Sequence, residues 1–238
     1  MLMLQTFLKR RETAVIALNG TVQDNLSALY EKAEVVNNSF SKRFFDVIFT
    51  SILFIFIFSW LFPIIILLIK STSKGPVFFK QQRNGVNNTT FTCYKFRTMF
   101  AHCPNVDEQG NYLQAKAEDP RVTPVGKLLR KTSLDELPQF YNVLMGNMSI
   151  IGPRPHPIEL NEVSEGVIEN YTLRYLVKPG VTGWAQVSGY RGPTQTADAM
   201  QGRVNHDIWY IQNWSFWLDM KIVLLTLKTA FWGDKNAV

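Results

Sequence analysis

The pattern of apolar and polar positions divides the chain into a short helix, a long apolar run and a larger mixed region. Near the N-terminus, apolar residues recur at helical spacing within a polar stretch, which predicts an amphipathic helix. Those positions are Val22, Leu26, Leu29, Ala33 and Val36. We interpret residues 1–40 as an accessory segment that precedes the main part of the protein.

The long apolar run contains no charged residue between positions 47 and 69. At 1.5 Å per residue, a helix of this run is about 34 Å long, against about 30 Å for the hydrocarbon core of a bilayer. Almost every face of such a helix is apolar, which is less typical of a core helix in a soluble domain. The run therefore predicts a membrane helix, and we assign residues 41–72 to this segment.

Two features leave open whether this segment crosses the membrane or turns back. Pro63 removes one helix hydrogen bond and favours a kink, and the Ser59 hydroxyl can bond back to the preceding turn. Basic residues flank the run on both sides, so the positive-inside bias assigns no exit side. A single span and a re-entrant hairpin with its break at Ser59 and Pro63 are both compatible with the sequence.

A β-hairpin is predicted after the membrane segment. Residues 76–82 and 89–99 are apolar and aromatic runs, and the Asn-rich stretch 84–88 has turn chemistry. Alternation along the second strand places Lys95 and Arg97 on one face. The remaining chain reads as loop, interrupted helix and an amphipathic C-terminal helix that suits a core or a membrane interface. The sequence thus predicts an α+β domain, mainly α, over residues 73–238.

Charge narrows the class of partner. The 238 residues carry a net charge of +6. This balance favours an anionic partner such as nucleic acid, an acidic membrane face or a phosphorylated substrate. Basic residues are not interleaved with aromatic ones as in nucleic-acid-binding modules, so we expect no nucleic-acid partner.

The adjacent carboxylates Asp135 and Glu136 have two interpretations. In the first, Ser133 and Glu136 form a capping box, and both acids complement the dipole of a helix that starts there. Pro138 complicates this interpretation, because it lacks an N–H group. Either the turn is distorted, or the helix proper begins at Pro138.

In the second interpretation, the acids act on phosphate. An aspartate such as Asp135 can attack phosphorus and form an acyl phosphate, and Glu136 can hold Mg²⁺, which favours one or two carboxylates with phosphate oxygens. The surrounding bases would neutralise a diphosphate that the acids alone would repel. These bases are Arg97, Arg130, Lys131 and Arg154.

Six sequence blocks, taken together, resemble one family. In order they are KRFFD, GPVFFKQQRNG, YKFRTM, the stretch from DPRVTP to IGPRP, VKPGVTGWAQV and WYIQNWSFWLDMKIVLLT. Over about residues 41–232 the chain resembles bacterial sugar transferases, which are monotopic polyprenyl-phosphate hexose-1-phosphate transferases. The resemblance implies transfer of a sugar-1-phosphate from a UDP-sugar to undecaprenyl phosphate, with release of UMP and a requirement for Mg²⁺.

The resemblance also assigns roles and a location. It implies that Asp135 is the nucleophile and that Glu136 supports the metal. It further implies a re-entrant helix in the bacterial inner membrane, a catalytic domain on the cytoplasmic face and amphipathic helices on the lipid surface. The residues that it places near the phosphates are Lys95, Arg97, Arg130 and Arg154.

Several points stay open at this stage. Family members break the re-entrant helix at an adjacent Ser-Pro, whereas three residues separate Ser59 from Pro63 here. The stretch after residue 188 resembles the branch that uses UDP-glucose or UDP-galactose, with N-acetylated UDP-sugars as the alternative. A membrane scaffold without activity is the rival from another class. We expect the glycan product to be an exopolysaccharide or a capsule, and a homodimer is compatible with the sequence.

Overall fold

The fold is mainly helical with two small sheets. It is seen in a computed structural model that describes residues 23–103, 113, 119–192 and 196–232. The helices are α1 (residues 23–38), α2 (Phe40–Leu53), α3 (Ser59–Thr72), α4 (Pro124–Lys131), α5 (Gln139–Met145), α6 (Ile158–Glu165), α7 (Trp184–Val187), α8 (Ala197–Gln212) and α9 (Phe216–Trp232). The strands are β1 (Phe78–Asn84), β2 (Thr90–Phe96), β3 (Ser149–Ile151) and β4 (Gly180–Thr182). The predicted mainly helical α+β composition is confirmed.

The predicted β-hairpin is present with shifted bounds. Strands β1 and β2 pair antiparallel, with Lys95 opposite Phe79, and β3 pairs with β4 in parallel. Asn87 and Asn88 adopt positive φ angles in the turn, which Asn tolerates better than most residues. Strand β2 ends at Phe96, so Arg97 follows the strand instead of belonging to it.

Helix α1 belongs to the main hydrophobic core. Leu29, Ala33 and Val36 are buried there, in the same cluster as Val143 and Ile211. The predicted helical spacing is thus confirmed for these positions, while Leu26 is exposed and Val22 lies outside the described residues. A segment that the sequence marked as accessory packs into the centre of the domain.

The apolar segment forms one helical run from Phe40 to Thr72, of 33 residues, long and apolar enough to cross a membrane. Its irregular part is a wide π-helical turn over Phe54–Phe58, which ends directly before Ser59, the first residue of the predicted break. The Ser59 hydroxyl donates to the Ile55 carbonyl at 2.7 Å, as predicted, and Pro63 lies inside α3. The extra residue in the wide turn changes which side of the helix faces the domain.

The helical run has one apolar face towards the domain and one away from it. On the inner face, the Phe58 ring lies 5.5 Å from the ring of Phe140, and Ile65 and Ile69 pack with Phe96. Large apolar side chains are exposed along the whole run. They are Phe40, Phe44, Ile48, Ile52, Ile55, Phe56, Ile57, Trp60, Ile64, Leu67 and Leu68. The segment therefore contacts the domain near its start, middle and end while it presents an apolar surface outward.

A buried ion pair fixes the start of this run to the domain. The Lys42 ammonium lies 2.8 Å from the Asp219 carboxylate in α9, and both side chains are almost fully buried. Lys42 also donates to the Ile151 carbonyl at 2.9 Å, and Tyr210 donates to Asp219 at 2.8 Å. One cluster of hydrogen bonds thus joins α2, β3, α8 and α9.

Asp219→Asn should destabilise the protein strongly, because it keeps the shape of the side chain but removes the carboxylate that is hydrogen-bonded to the buried Lys42 ammonium. Loss of one partner of a buried ion pair costs about 3–5 kcal/mol. Thermal unfolding in detergent would measure the effect. The control Asp198→Asn, an exposed acid in the first turn of α8, should change the melting temperature little. Equal melting temperatures for the two variants would contradict the proposed role of the ion pair.

Candidate active site

The two acids lie in a short 3₁₀ turn between two helices. Ser133 has a left-handed backbone (φ 56°), Leu134–Glu136 form the turn, and α5 starts at Gln139 directly after Pro138. The capping box is therefore wrong: the Ser133 side chain caps no helix, and its hydroxyl instead accepts from Arg191 at 2.7 Å. The other alternative, a helix that begins at Pro138, is close to what the structure shows, because a proline fits before or at the first helical position.

Both oxygens of the Glu136 carboxylate are occupied. The Arg154 guanidinium binds it through two nitrogens, at 2.9 and 2.6 Å, and the Lys95 ammonium lies 2.6 Å away. Burial opposes ionisation, but Arg154 and Lys95 outweigh it and hold the pKa of Glu136 well below its usual range. Glu136 is thus a fixed anion that joins the loop of Arg154 to strand β2.

Asp135 is bonded differently although it is the next residue. It is 8% exposed, and none of the described residues donates a hydrogen bond to its carboxylate. Burial and the charge of Glu136 raise the pKa of Asp135 to about 6, against the opposing effect of Lys95, Arg130 and Arg154. Near neutral pH the Asp135 carboxylate is therefore mostly ionised and not held by a partner, which suits a nucleophile.

Asp135 lines a cavity of about 240 Å³ beside the β-hairpin. Four cationic side chains share the lining, namely Arg83, Lys95, Arg97 and Arg130. Phenylalanine rings cover part of the wall, including those of Phe78, Phe79, Phe96 and Phe100. A space with one carboxylate, four cations and apolar walls is suited to an anionic ligand with an apolar part.

The structure brings the predicted bases to this site in different ways. Lys95 and Arg154 bind Glu136, and Arg130 donates through Nε to the Thr98 hydroxyl at 2.9 Å. Arg97 lines the cavity, but its terminal nitrogens donate to the main-chain carbonyls of residues 73 and 74, just after α3. Strand β2 ends at Phe96, between Lys95 and Arg97, and both side chains line the same cavity. Lys131 is exposed.

Sequence reasoning missed a buried layer behind Arg154. The Arg174 guanidinium donates to the Arg154 carbonyl at 2.7 Å and pairs with the Asp207 carboxylate at 2.7 Å. Arg83, which lines the cavity, donates to the carbonyl of Pro155 on the same loop. Burial, with the nearby Arg174, lowers the pKa of His156 well below its usual range. In the sequence, this layer is indicated only by His156 and Pro157, which directly follow the Gly-Pro-Arg-Pro motif, and by arginines in other parts of the chain.

The residues present fit a magnesium ion in part. No group of three or more metal-ligating side chains occurs in the described ranges, so protein alone does not form a cage. Mg²⁺ commonly uses one or two carboxylates and completes its shell with phosphate oxygens and water. Asp135 can serve in this way at once, whereas Glu136 must first exchange Lys95 or Arg154 for the metal.

Glu136→Gln should lower the pKa of Asp135 below about 6. The substitution removes the neighbouring negative charge, and it frees Lys95 and Arg154 to stabilise the Asp135 carboxylate. Carbon-13 NMR of labelled aspartate carboxyl groups, with Asp135→Asn to assign the signal, would give the titration midpoint. Glu162→Gln changes an exposed acid outside the site and should leave the midpoint unchanged. A midpoint that stays or rises in Glu136→Gln would show that the two acids are not coupled as described.

Comparison with known proteins identifies similar sequences among bacterial sugar transferases. A family model for bacterial sugar transferases matches residues 37–233. The chain is 46% identical over 194 residues to the UDP-glucose:undecaprenyl-phosphate glucose-1-phosphate transferase of Klebsiella pneumoniae, covering 82% of this chain and 41% of that protein. The protein of the same name from Escherichia coli (strain K12) gives the same identity and coverage.

A relative with another sugar in its name matches almost as well. The UDP-N-acetylgalactosamine-undecaprenyl-phosphate N-acetylgalactosaminephosphotransferase of Aeromonas hydrophila is 43% identical over 195 residues, covering 82% of this chain and 44% of that protein. The chain thus spans less than half the length of these three relatives. Because the family model covers most of the chain, including both acids and the bases around them, the protein belongs to the bacterial sugar transferase family.

Proposed function

We propose that the protein transfers a hexose-1-phosphate, glucose-1-phosphate first among the candidates, from a UDP-sugar to undecaprenyl phosphate and releases UMP. The observation that carries this proposal is Asp135, a carboxylate with no hydrogen-bond donor among the described residues, on the wall of a cavity lined by four cations. The names of the relatives support the two substrates. We further propose that the reaction initiates an exopolysaccharide or capsule repeat unit.

The proposed reaction has two displacements at one phosphorus atom. An oxygen of Asp135 attacks the phosphorus that carries the sugar, the bond from that phosphorus to the bridging oxygen breaks, and UMP leaves with that oxygen. The acyl phosphate on Asp135 is then attacked by an oxygen of undecaprenyl phosphate, which restores the Asp135 carboxylate. The covalent step lets UMP leave before the second anion arrives, so that the two anionic substrates need not share one site.

The neighbouring residues have separable roles in this proposal. Arg130 and Lys95 lie on the cavity and are placed to neutralise the diphosphate, with Arg97 beside them. Phosphate oxygens can compete with Glu136 for Arg154 and Lys95, which frees Glu136 as a second metal ligand beside Asp135. A bound Mg²⁺ would supply charge stabilisation at the phosphate oxygens.

Two alternatives are kept. An N-acetylhexosamine-1-phosphate is the other candidate cargo, because a relative with that sugar in its name is 43% identical. A scaffold without activity would need the basic face but not a carboxylate without a hydrogen-bond donor. The environment of Asp135 therefore favours the enzyme hypothesis. UMP release from a panel of UDP-sugars, in detergent with undecaprenyl phosphate, would separate all three.

Asp135→Asn should reduce turnover to background while binding of the UDP-sugar largely survives, because the amide keeps the shape and loses the nucleophile. Incubation of the wild-type protein with UDP-glucose alone should leave a phosphosugar on the peptide of Asp135 that hydroxylamine removes. Glu136→Gln should lower the rate together with the response to Mg²⁺. Mass spectrometry of the trapped protein and UMP release are the measurements.

Glu162→Gln is the matched control, because it neutralises an exposed acid away from the cavity, and it should behave like wild type. The mechanism is refuted if Asp135→Asn turns over near the normal rate or if the adduct forms on another residue. A wild-type protein that releases UMP without any adduct would indicate direct transfer from one substrate to the other.

We also propose that the apolar segment enters the inner membrane from the cytoplasmic side and returns to it. Helix α1 before the segment and strand β3 after it belong to one core, and both ends of the segment contact that same domain. A single span would have to pull one of these contacts apart. The apolar outer face of the segment is then covered by lipid, and Trp217 on α9 is exposed where an interfacial helix would need an anchor.

Cysteines placed at Asn25 and at Glu162, both exposed positions, should be equally shielded from a membrane-impermeant maleimide in intact cells and equally labelled after permeabilisation. The background carries Cys103→Ser, and Cys93 is buried. Labelling from outside at Asn25 alone would establish a single span. Pro63→Ala restores one helix hydrogen bond and should shift the population towards that span.

A further inference from the structure

A loop far along the chain contacts the turn that carries Asp135. The Arg191 guanidinium donates to the Ser133 hydroxyl at 2.7 Å across 58 residues of sequence. Ser133 has a left-handed backbone, which is uncommon for a residue other than glycine and persists only where the surroundings hold it. The turn Leu134–Glu136 follows directly and has no side-chain cap of its own.

The loop itself is held in place by helix α8. Arg203 donates through Nε to the carbonyl of Tyr190 at 3.0 Å and through Nη2 to the carbonyl of Gly192 at 2.5 Å. The ring of Tyr190 lies so close to Gly202 that a Cβ there would be 2.3 Å from it. A side chain at position 202 would meet this ring, so the glycine allows the loop to approach α8 closely.

The same arginine also reaches the loop of Arg154. Its third contact is from Nη1 to Nε2 of His156 at 3.0 Å, two residues after Arg154. Arg203 is buried, and so is His156. One side chain of α8 therefore connects the loop that contacts the turn of Asp135 with the loop that supplies the bidentate partner of Glu136.

We propose that residues 189–192 form a brace for the turn of the two acids, and that Arg191 is a positioning residue that acts through Ser133. The turn has no side-chain cap, and the guanidinium adds a side-chain bond to the main-chain bonds that Ser133 makes with Arg130 and Glu136. The turn sets where the Asp135 carboxylate lies relative to the cations of the cavity. The catalytic part of this inference rests on the proposed function, whereas the effect on the turn does not.

The test compares Arg191→Ala, Ser133→Ala and the double variant, each as the full chain in detergent. Hydrogen exchange followed by mass spectrometry should show faster exchange in the peptide over residues 132–138, by about tenfold in each single variant, which matches the loss of one charge-assisted hydrogen bond. The two single variants share the loss of the bond between Arg191 and Ser133, so the effect of the double variant should be clearly smaller than the product of the two single effects. Ser133→Ala keeps the charge of Arg191, so it separates positioning from electrostatics.

Gln201→Ala is the matched control, because it removes another hydrogen-bonded bridge between α8 and a loop, at the main chain of Glu169. Its exchange should change around residue 169 and not over 132–138. With UDP-glucose, the brace variants should lower kcat about tenfold and leave KM nearly unchanged, and guanidinium ion should partly restore Arg191→Ala. The proposed role of residues 189–192 would be refuted by unchanged hydrogen exchange over residues 132–138, or by single effects that multiply in the double variant. Absence of UMP release from the wild-type protein would instead refute the proposed function alone.

Discussion

The carboxylate of Glu136 joins three parts of the fold at one point. Arg154 approaches it from the loop after β3, Lys95 from strand β2, and the residue itself lies in the turn before α5. A bidentate, partly buried ion pair is strongly directional, so it fixes the orientation of all three parts. Lys95 and Arg154 both bind Glu136, and no described residue donates a hydrogen bond to Asp135. Two neighbouring acids therefore have different roles: Glu136 is a structural anion, whereas Asp135 is open to a ligand.

Positive charge exceeds negative charge around this point, and most of it is buried. Arg83, Arg174 and Arg203 lie behind the Arg154 loop, and Asp207 pairs with Arg174. Buried cations are costly unless an anion compensates them. Main-chain carbonyls meet part of this cost, as for Arg83 and Arg203, and a phosphate in the cavity would meet more of it. The excess charge therefore supports an anionic ligand independently of the family resemblance.

Local patterns made part of this arrangement predictable. The acid pair, the hairpin, the apolar run and the bond from Ser59 to the preceding turn depend on neighbouring residues, and the sequence indicates all of them.

Other features depend on packing between distant segments. Arg97 lines the cavity, and its guanidinium also donates to the two carbonyls after α3, which the sequence does not indicate. The bond of Arg191 to Ser133 and the pair of Lys42 with Asp219 join residues 58 and 177 positions apart. The spacing of apolar and polar residues does not predict such pairs, because only folding brings them together. The capping pattern predicted that Ser133 would cap a helix, whereas its hydroxyl accepts from Arg191.

The contacts of Arg97 connect the membrane segment to the chemistry. Its guanidinium holds the two carbonyls that follow α3, and its side chain lines the cavity that contains Asp135. Gly75, at φ +119°, leaves no room for a side chain beside that guanidinium, where a Cβ would lie 2.6 Å from Nη1. The end of the apolar helix is thus fixed against the cavity wall. If the segment enters and leaves the membrane on the same side, as we propose, the end of α3 brings the membrane surface next to the cavity, and a phosphate on a lipid there would have a short path to Asp135.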